Sequence, residues 1–213
     1  ALDGNCQRHS GGPAPVPAKG DAVNPADVLE FWFGAPGSAE HGSLRKCWFE
    51  KNPAFDEDIR QRFLPALEAA VAGQLDGWAN QPESLLALIV LLDQFPRNLF
   101  RNTPRAFATD ARALVLAQQA VTQGFDAQLM PVARAFIYLL FEHSEDLAMQ
   151  DHAVALFTAL AGNGVEFTSY LDYAEQHREV IRRFGRFPHR NAILGRASTA
   201  AEIEYLAQPG AGF

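Results

Sequence analysis

The chain has 213 residues, 48% of them hydrophobic and 20% charged, with a formal net charge of −7. That balance belongs to an ordinary globular protein long enough to bury a sizeable core; its acidity and the absence of Lys-rich stretches argue against nucleic acid as a partner. No apolar run approaches the ~18 residues of a membrane span, and two cysteines are too few for a disulfide framework, which fits a reducing cytoplasm.

Residues 1–23 are rich in Gly, Pro and small residues, which bury too little surface to offset the entropy of ordering, and lack the basic-then-apolar layout of a signal peptide. A flexible N-terminal tail is expected there, and a short C-terminal tail at 209–213. Between them, 24–208 reads as a single all-helical domain. Asn24-Pro25 supplies a cap and a first-turn proline for a helix that Gly34 ends. Asn52-Pro53 opens a second helix toward Ala72-Gly73, with Asp56, Glu57 and Asp58 near the positive end of its dipole. Pro82-Glu83 starts a third. Thr109-Asp110 opens a helix to about Gln123, and another runs from about Pro131 to Phe141. Ser144 reads as the cap of the next, which ends at 162–164. A helix from about Glu166 to Phe184 is stopped by Gly185, and Thr199 with Glu202 forms a capping box for a short last helix. No stretch shows the period-2 alternation of a half-buried strand. The fold class is all-α with seven to nine helices, and from residue 108 onward paired helices predict antiparallel hairpins in a tetratricopeptide-like arrangement, although no clean repeat of about 34 residues is present.

The third helix is the organising element. Leu85 to Leu92 is apolar on every side at 100° per residue, as in a fully buried helix. It is expected to stop at Asp93-Gln94-Phe95-Pro96 and deliver a polar cluster of Asp93, Arg97, Asn98, Arg101 and Arg105. An acid at a helix C-terminus opposes the dipole, so Asp93 needs a partner, and Arg97 four residues on is the simplest one. Segments 91–110 and 177–196 together hold nine Arg against three acids inside an otherwise acidic chain. This concentration predicts that the two segments meet, because guanidinium groups suit bidentate recognition of carboxylate or phosphate.

The helix 166–184 places His177 and Arg178 within the arc of Phe167, Tyr170, Leu171, Ala174, Ile181 and Phe184. Such a position calls either for a structural ion pair or for a polar pocket at that level. Directly after it, RFGRFPHRNAILGR offers Arg186, His189, Arg190 and Asn191 as convergent donors around a Gly/Pro turn. In FEHSEDL, Glu145 and Asp146 are accounted for by their place in a helix first turn. Glu142 and His143 fall in the inter-helix turn and have no such excuse; with His177 they are the candidate acid/base groups. No HExxH or CxxC spacing and no nucleophile, phosphate-loop or dinucleotide motif occurs, so no metal or cofactor is expected.

The stretches DVLEFWFG, LLDQFPRNLFRNTPRAFATD, YLLFEHSEDLAMQ and RFGRFPHRNAILGR resemble, in this order, the bacterial family catalogued as domain of unknown function 924, over about residues 25–208. The resemblance implies a tetratricopeptide-like helical fold and no established activity; Leu140 stands where similar sequences tend to have Pro. The expectation is a cytoplasmic protein binding a small carboxylate or phosphate in an Arg/His/Asn-lined pocket. The alternatives are an enzyme with hydrolase-like acid/base chemistry in the same pocket, or a helical-repeat adaptor gripping a peptide carboxylate. Oligomeric state is left open.

Overall fold

The computed structural model describes residues 23–212. Except for Val23, the expected N-terminal tail lies outside them, as does Phe213. Among the described residues there is no strand, and eight helices carry the fold. They are α1 (Pro25–Phe33), α2 (Pro53–Val71), α3 (82–99), α4 (Asp110–Thr122), α5 (Pro131–Glu142), α6 (Leu147–Ala161), α7 (Thr168–Phe184) and α8 (Ala200–Leu206), linked by loops and short 3-10 turns. The starts follow the cap chemistry: Asn24 and Asp27 form a capping box on α1, Asn52 accepts from the first turn of α2, and Thr199 with Glu202 caps α8. Gly185 ends α7 in the left-handed region, φ 68°, where a side chain would be strained. The α6 cap is a correction. Asp146, not Ser144, accepts from Ala148 and Met149, so Glu142 closes α5 and Glu145 stands in the connecting turn.

α3 lies at the centre, packed by α1, α2, α4 and α5, and every residue from Leu85 to Leu92 is at most 2% exposed. Aromatic rings lock the outer helices onto it. Trp32 of α1 sits 5.6 Å from Phe95 of α3, 5.7 Å from Phe136 of α5 and 6.1 Å from Trp48. α5, α6 and α7 pack in sequence order, each on the next. One apolar core runs from Val28 to Ala174, and Val180, Ile181 and Phe187 form a second cluster near the chain end. Gly212 lies against His189; a Cβ there would come within 3.0 Å of the His189 Cβ.

α3 does not stop at Asp93. Pro82–Ile89 is α-helical, Val90–Gln94 is a π turn, and Phe95–Leu99 continues as α-helix. In an unbroken α-helix the Pro96 ring would collide with the carbonyl of Leu92, four residues earlier. The π turn relieves this by widening one turn, with the Phe95 N–H reaching back five residues to the Val90 carbonyl. Pro96 still brings no N–H to the ladder. The hydroxyl of Thr109 supplies the missing donor to the buried Leu92 carbonyl, which is why Thr109 does not cap α4. Thr109→Val should therefore cost about 1–3 kcal/mol, the penalty of a buried acceptor left without its donor. Denaturant unfolding measures it, and an unchanged midpoint would show that the hydroxyl plays no such part.

Candidate functional site

The π turn points Asp93 into a polar cluster built from four parts of the chain. Its carboxylate is fully buried, with Oδ1 2.7 Å from Arg97 Nη1 and 2.9 Å from His143 Nδ1, while Oδ2 accepts from Gln94 Nε2 at 2.6 Å. Burial alone would raise its pKa. The Arg97 guanidinium, with His143 and the Gln94 amide, overrides that and holds it below the usual carboxylate range. Arg97 also grips Asp110, at the start of α4, through paired contacts of 2.9 and 3.0 Å. One guanidinium thus bridges carboxylates from α3 and α4.

His143 stands one residue past α5. An ionised Asp93 can only accept, so Nδ1 of His143 carries the hydrogen and Nε2 is the free lone pair. Nε2 takes no hydrogen bond from the described residues, and the side chain keeps 15% exposure, so this nitrogen is turned to the outside. Burial and Arg97 lower the His143 pKa, against the pull of Asp93. The His143 carbonyl accepts from Arg190 Nη1 at 3.0 Å. Arg190 is clamped between the rings of Phe107 and Phe187, 4.8 and 4.5 Å from their centroids. Its closest carboxylate contact is Asp110 Oδ2 at 3.7 Å, and its buried Nε has no partner. Burial and the neighbouring Arg97 bring its pKa down to about 10. Arg190 is a buried cation whose nearest carboxylate stays beyond hydrogen-bond distance.

Behind this face lies Glu142, 3% exposed. Its Oε1 is 3.0 Å from His177 Nδ1, which also donates to the Tyr173 carbonyl at 2.8 Å, and its Oε2 has no partner. Burial, and then the charge on Asp93, push the Glu142 carboxyl up to about 8. Burial pushes His177 down to about 3 despite its bond to the Tyr173 carbonyl. Both members of the pair are therefore neutral at pH 7.

The structure brings together Asp93, Arg97, Glu142, His143, His177 and Arg190, and the two Arg-rich segments meet at Asp110. The other expected ligand residues are engaged elsewhere. Asn98 and Arg101 hold Asp56 of α2, at 2.7 Å and 3.0 Å. Arg105 pairs with Glu68 over the Phe100 ring, beside a cleft of about 100 Å³ that Leu67, Val71 and Pro96 also line. Arg178 is half-exposed and 3.5 Å from Asp151. Arg186 is locked onto Glu202 at 2.6 and 2.8 Å. Asn191 is buried against Ser198. His189, beside Arg190, is brought down to about 4 by burial.

Sequence reasoning missed Asp110, Gln94, Phe107 and Phe187, and it set Glu145 aside. Asp110 read only as a helix start. Glu145, standing outside the helix, ties Arg196 at 2.6 and 2.9 Å and accepts the Phe187 N–H at 2.8 Å, which anchors the 187–190 turn beside the site. Among the described residues no group of three His, Cys, Asp or Glu is arranged to hold a metal ion.

The family described as bacterial protein of unknown function (DUF924) matches residues 28–210. The solved structure of a protein of unknown function from Agrobacterium tumefaciens is similar to this chain at 44% identity and a TM-score of 0.75, covering 86% of this chain and 96% of that one. No functionally curated protein matches. Among the described residues no helix is long and apolar enough to cross a membrane.

Proposed function

The chain belongs to the bacterial DUF924 family, and for it we propose a site that binds a small carboxylate or phosphate beside Arg190 and exchanges a proton with it through His143. The observation that carries this reading is the Asp93–His143 contact of 2.9 Å. An ionised carboxylate on Nδ1 fixes the ring and its tautomer and leaves Nε2 facing outward as a base, the geometry in which a histidine takes up and returns a proton. Arg190 supports the anionic half of the reading. Its nearest carboxylate, on Asp110, stays at 3.7 Å, so a ligand oxyanion would give it the direct charged contact it lacks. Arg97 does not play that role, because Asp93 and Asp110 already satisfy it. The chemistry is then acid/base transfer on a bound anion, in a protein whose two cysteines suit the cytoplasm.

The test is an NMR titration of the histidine rings with acetate and with inorganic phosphate. One of the two should shift the His143 ring signals and raise the melting temperature, since a ligand that binds only the folded state stabilises it. Arg190→Met should weaken that response at least about tenfold, the loss of one charge-assisted contact. Equal responses in wild type and Arg190→Met would remove Arg190 from the site. No response of His143 to either anion would leave the cluster as a brace between helices.

A further inference from the structure

We propose that Glu142 is a proton-carrying neutral acid that sets the proton affinity of His143 from behind, through Asp93, and is thus a positioning residue of the site rather than a brace of the fold. The inference deepens the acid/base reading, since it concerns the group that would exchange the proton.

It rests on what surrounds the carboxyl. α3 brings Asp93 and Arg97, and Arg97 is occupied by Asp93 and by Asp110 of α4. α6 presents Gln150, whose amide nitrogen spans the carbonyls of Glu142 and Ser144 at 2.5 and 2.6 Å. Elsewhere on that helix Asp151 is exposed and paired with Arg178, and the His152 ring lies against Phe141. α7 presents His177, whose Nδ1 hydrogen is directed at the Tyr173 carbonyl, and Tyr170, whose phenol is kept un-ionised by burial and by Glu142. The 188–190 turn brings His189 and Arg190, with Arg190 turned to the His143 carbonyl and Asp110. No Lys or Arg among the described residues forms an ion pair with Glu142. Its one ion-pair contact is a histidine that burial keeps neutral.

A buried carboxyl so placed is cheapest when protonated. Two carboxyls in one cluster then take different states: Asp93, beside Arg97, is ionised, and Glu142, without a cation, holds its proton. Glu142 and His143 are chain neighbours; Asp93 touches His143 at 2.9 Å, and its charge is felt by Glu142. When Glu142 loses its proton to solvent, a second negative charge is added beside Asp93. That potential favours the imidazolium, so the proton affinity of His143 rises.

The experiment follows the infrared absorption of protonated carboxyl groups together with the His143 ring signals by NMR, in wild type and in Glu142→Gln, from pH 5 to 9.5. The wild type should show a carboxylic-acid band at pH 7 that Glu142→Gln lacks and that disappears with a midpoint near pH 8. Over the same range the His143 signals should show a second inflection in the wild type and none in Glu142→Gln. Absence of a carboxylic-acid band at pH 7, or a His143 titration identical in the two proteins, overturns the proposal. Should Glu142→Gln fail to fold, the wild-type band and its midpoint still decide. Failure of the anion-binding reading would look different: His143 would ignore acetate and phosphate while the Glu142 band remained.

Discussion

Arg97→Ala is expected to lower the stability of the protein by about 3–5 kcal/mol, the range for stripping a buried charge of its partner. The Asp93 carboxylate would remain fully buried with a histidine and an amide for company, while Asp110 would lose a paired contact. For a chain whose whole stability falls in the usual marginal range, that loss is a large share of it. Denaturant unfolding of wild type, Arg97→Ala and the double variant Arg97→Met/Asp93→Leu separates two accounts. The double variant, apolar at both positions, should recover a good part of the loss, because a buried ion pair contributes little net stability beyond what its own charges require. A single variant within about 1 kcal/mol of wild type, a surface-pair value, would show that Asp93 finds water or another cation.

The second large effect is an acid limb in stability centred on His177. Burial holds its folded pKa near 3, against an ordinary value of 6.5. Between those limits the unfolded chain binds a proton that the folded one refuses, so stability falls as pH drops below 6.5 and goes on falling toward 3. Glu142 works in the opposite sense. Its folded pKa, raised to about 8 from 4.5, adds stability that is complete below 4.5 and is lost as pH rises through 8. The measurement is therefore a difference between proteins: unfolding free energy at pH 4, 5.5 and 7 for wild type and His177→Gln. Glutamine keeps a donor for the carbonyl four residues back, as Gln176 already does to Asp172 at 3.2 Å. Relative to wild type it should gain on the order of 2–4 kcal/mol between pH 7 and pH 4, from a shift of several pKa units at a largely buried site. Parallel curves for the two proteins would contradict the buried neutral histidine.

How much of this was legible in the sequence depends on how local the cause is. Caps and first-turn prolines act within four residues, so most helix starts could be read. The all-round apolar run Leu85–Leu92 identified the central helix for the same reason. Its end misled because Asp-Gln-Phe-Pro carries the signs of a terminator, while the device that lets the helix pass, a π turn completed by Thr109, draws on a residue 17 positions from the carbonyl it serves. The fate of each arginine was harder still. Arg101 is claimed by Asp56, 45 positions away, Arg105 by Glu68 and Arg186 by Glu202, and nothing in the local spacing says which acid reaches which guanidinium. The clustering of Arg on its own does not distinguish Arg97 and Arg190, which share Asp110, from the arginines that other acids hold. Glu142 and His143 stood out because a carboxyl beside an imidazole has no use in a solvated turn. Glu145 was discarded because Ser144 and Asp146 both look like caps, and choosing the wrong one moved Glu145 into a helix where an acid is unremarkable.

The π turn also carries a consequence for length. One extra residue in a helical turn leaves everything after it about 100° behind the phase of an uninterrupted α-helix. The face that Phe95–Leu99 shows to α2 and α4 is therefore out of phase with the one Pro82–Ile89 shows to α1, and a single residue count maintains the offset. Removing one position from 90–94 would close the turn to α-helical width and leave that face in place, whereas adding one would swing Asn98 away from Asp56 and Arg97 away from Asp110 together. The wide turn is where this helix stores a surplus residue.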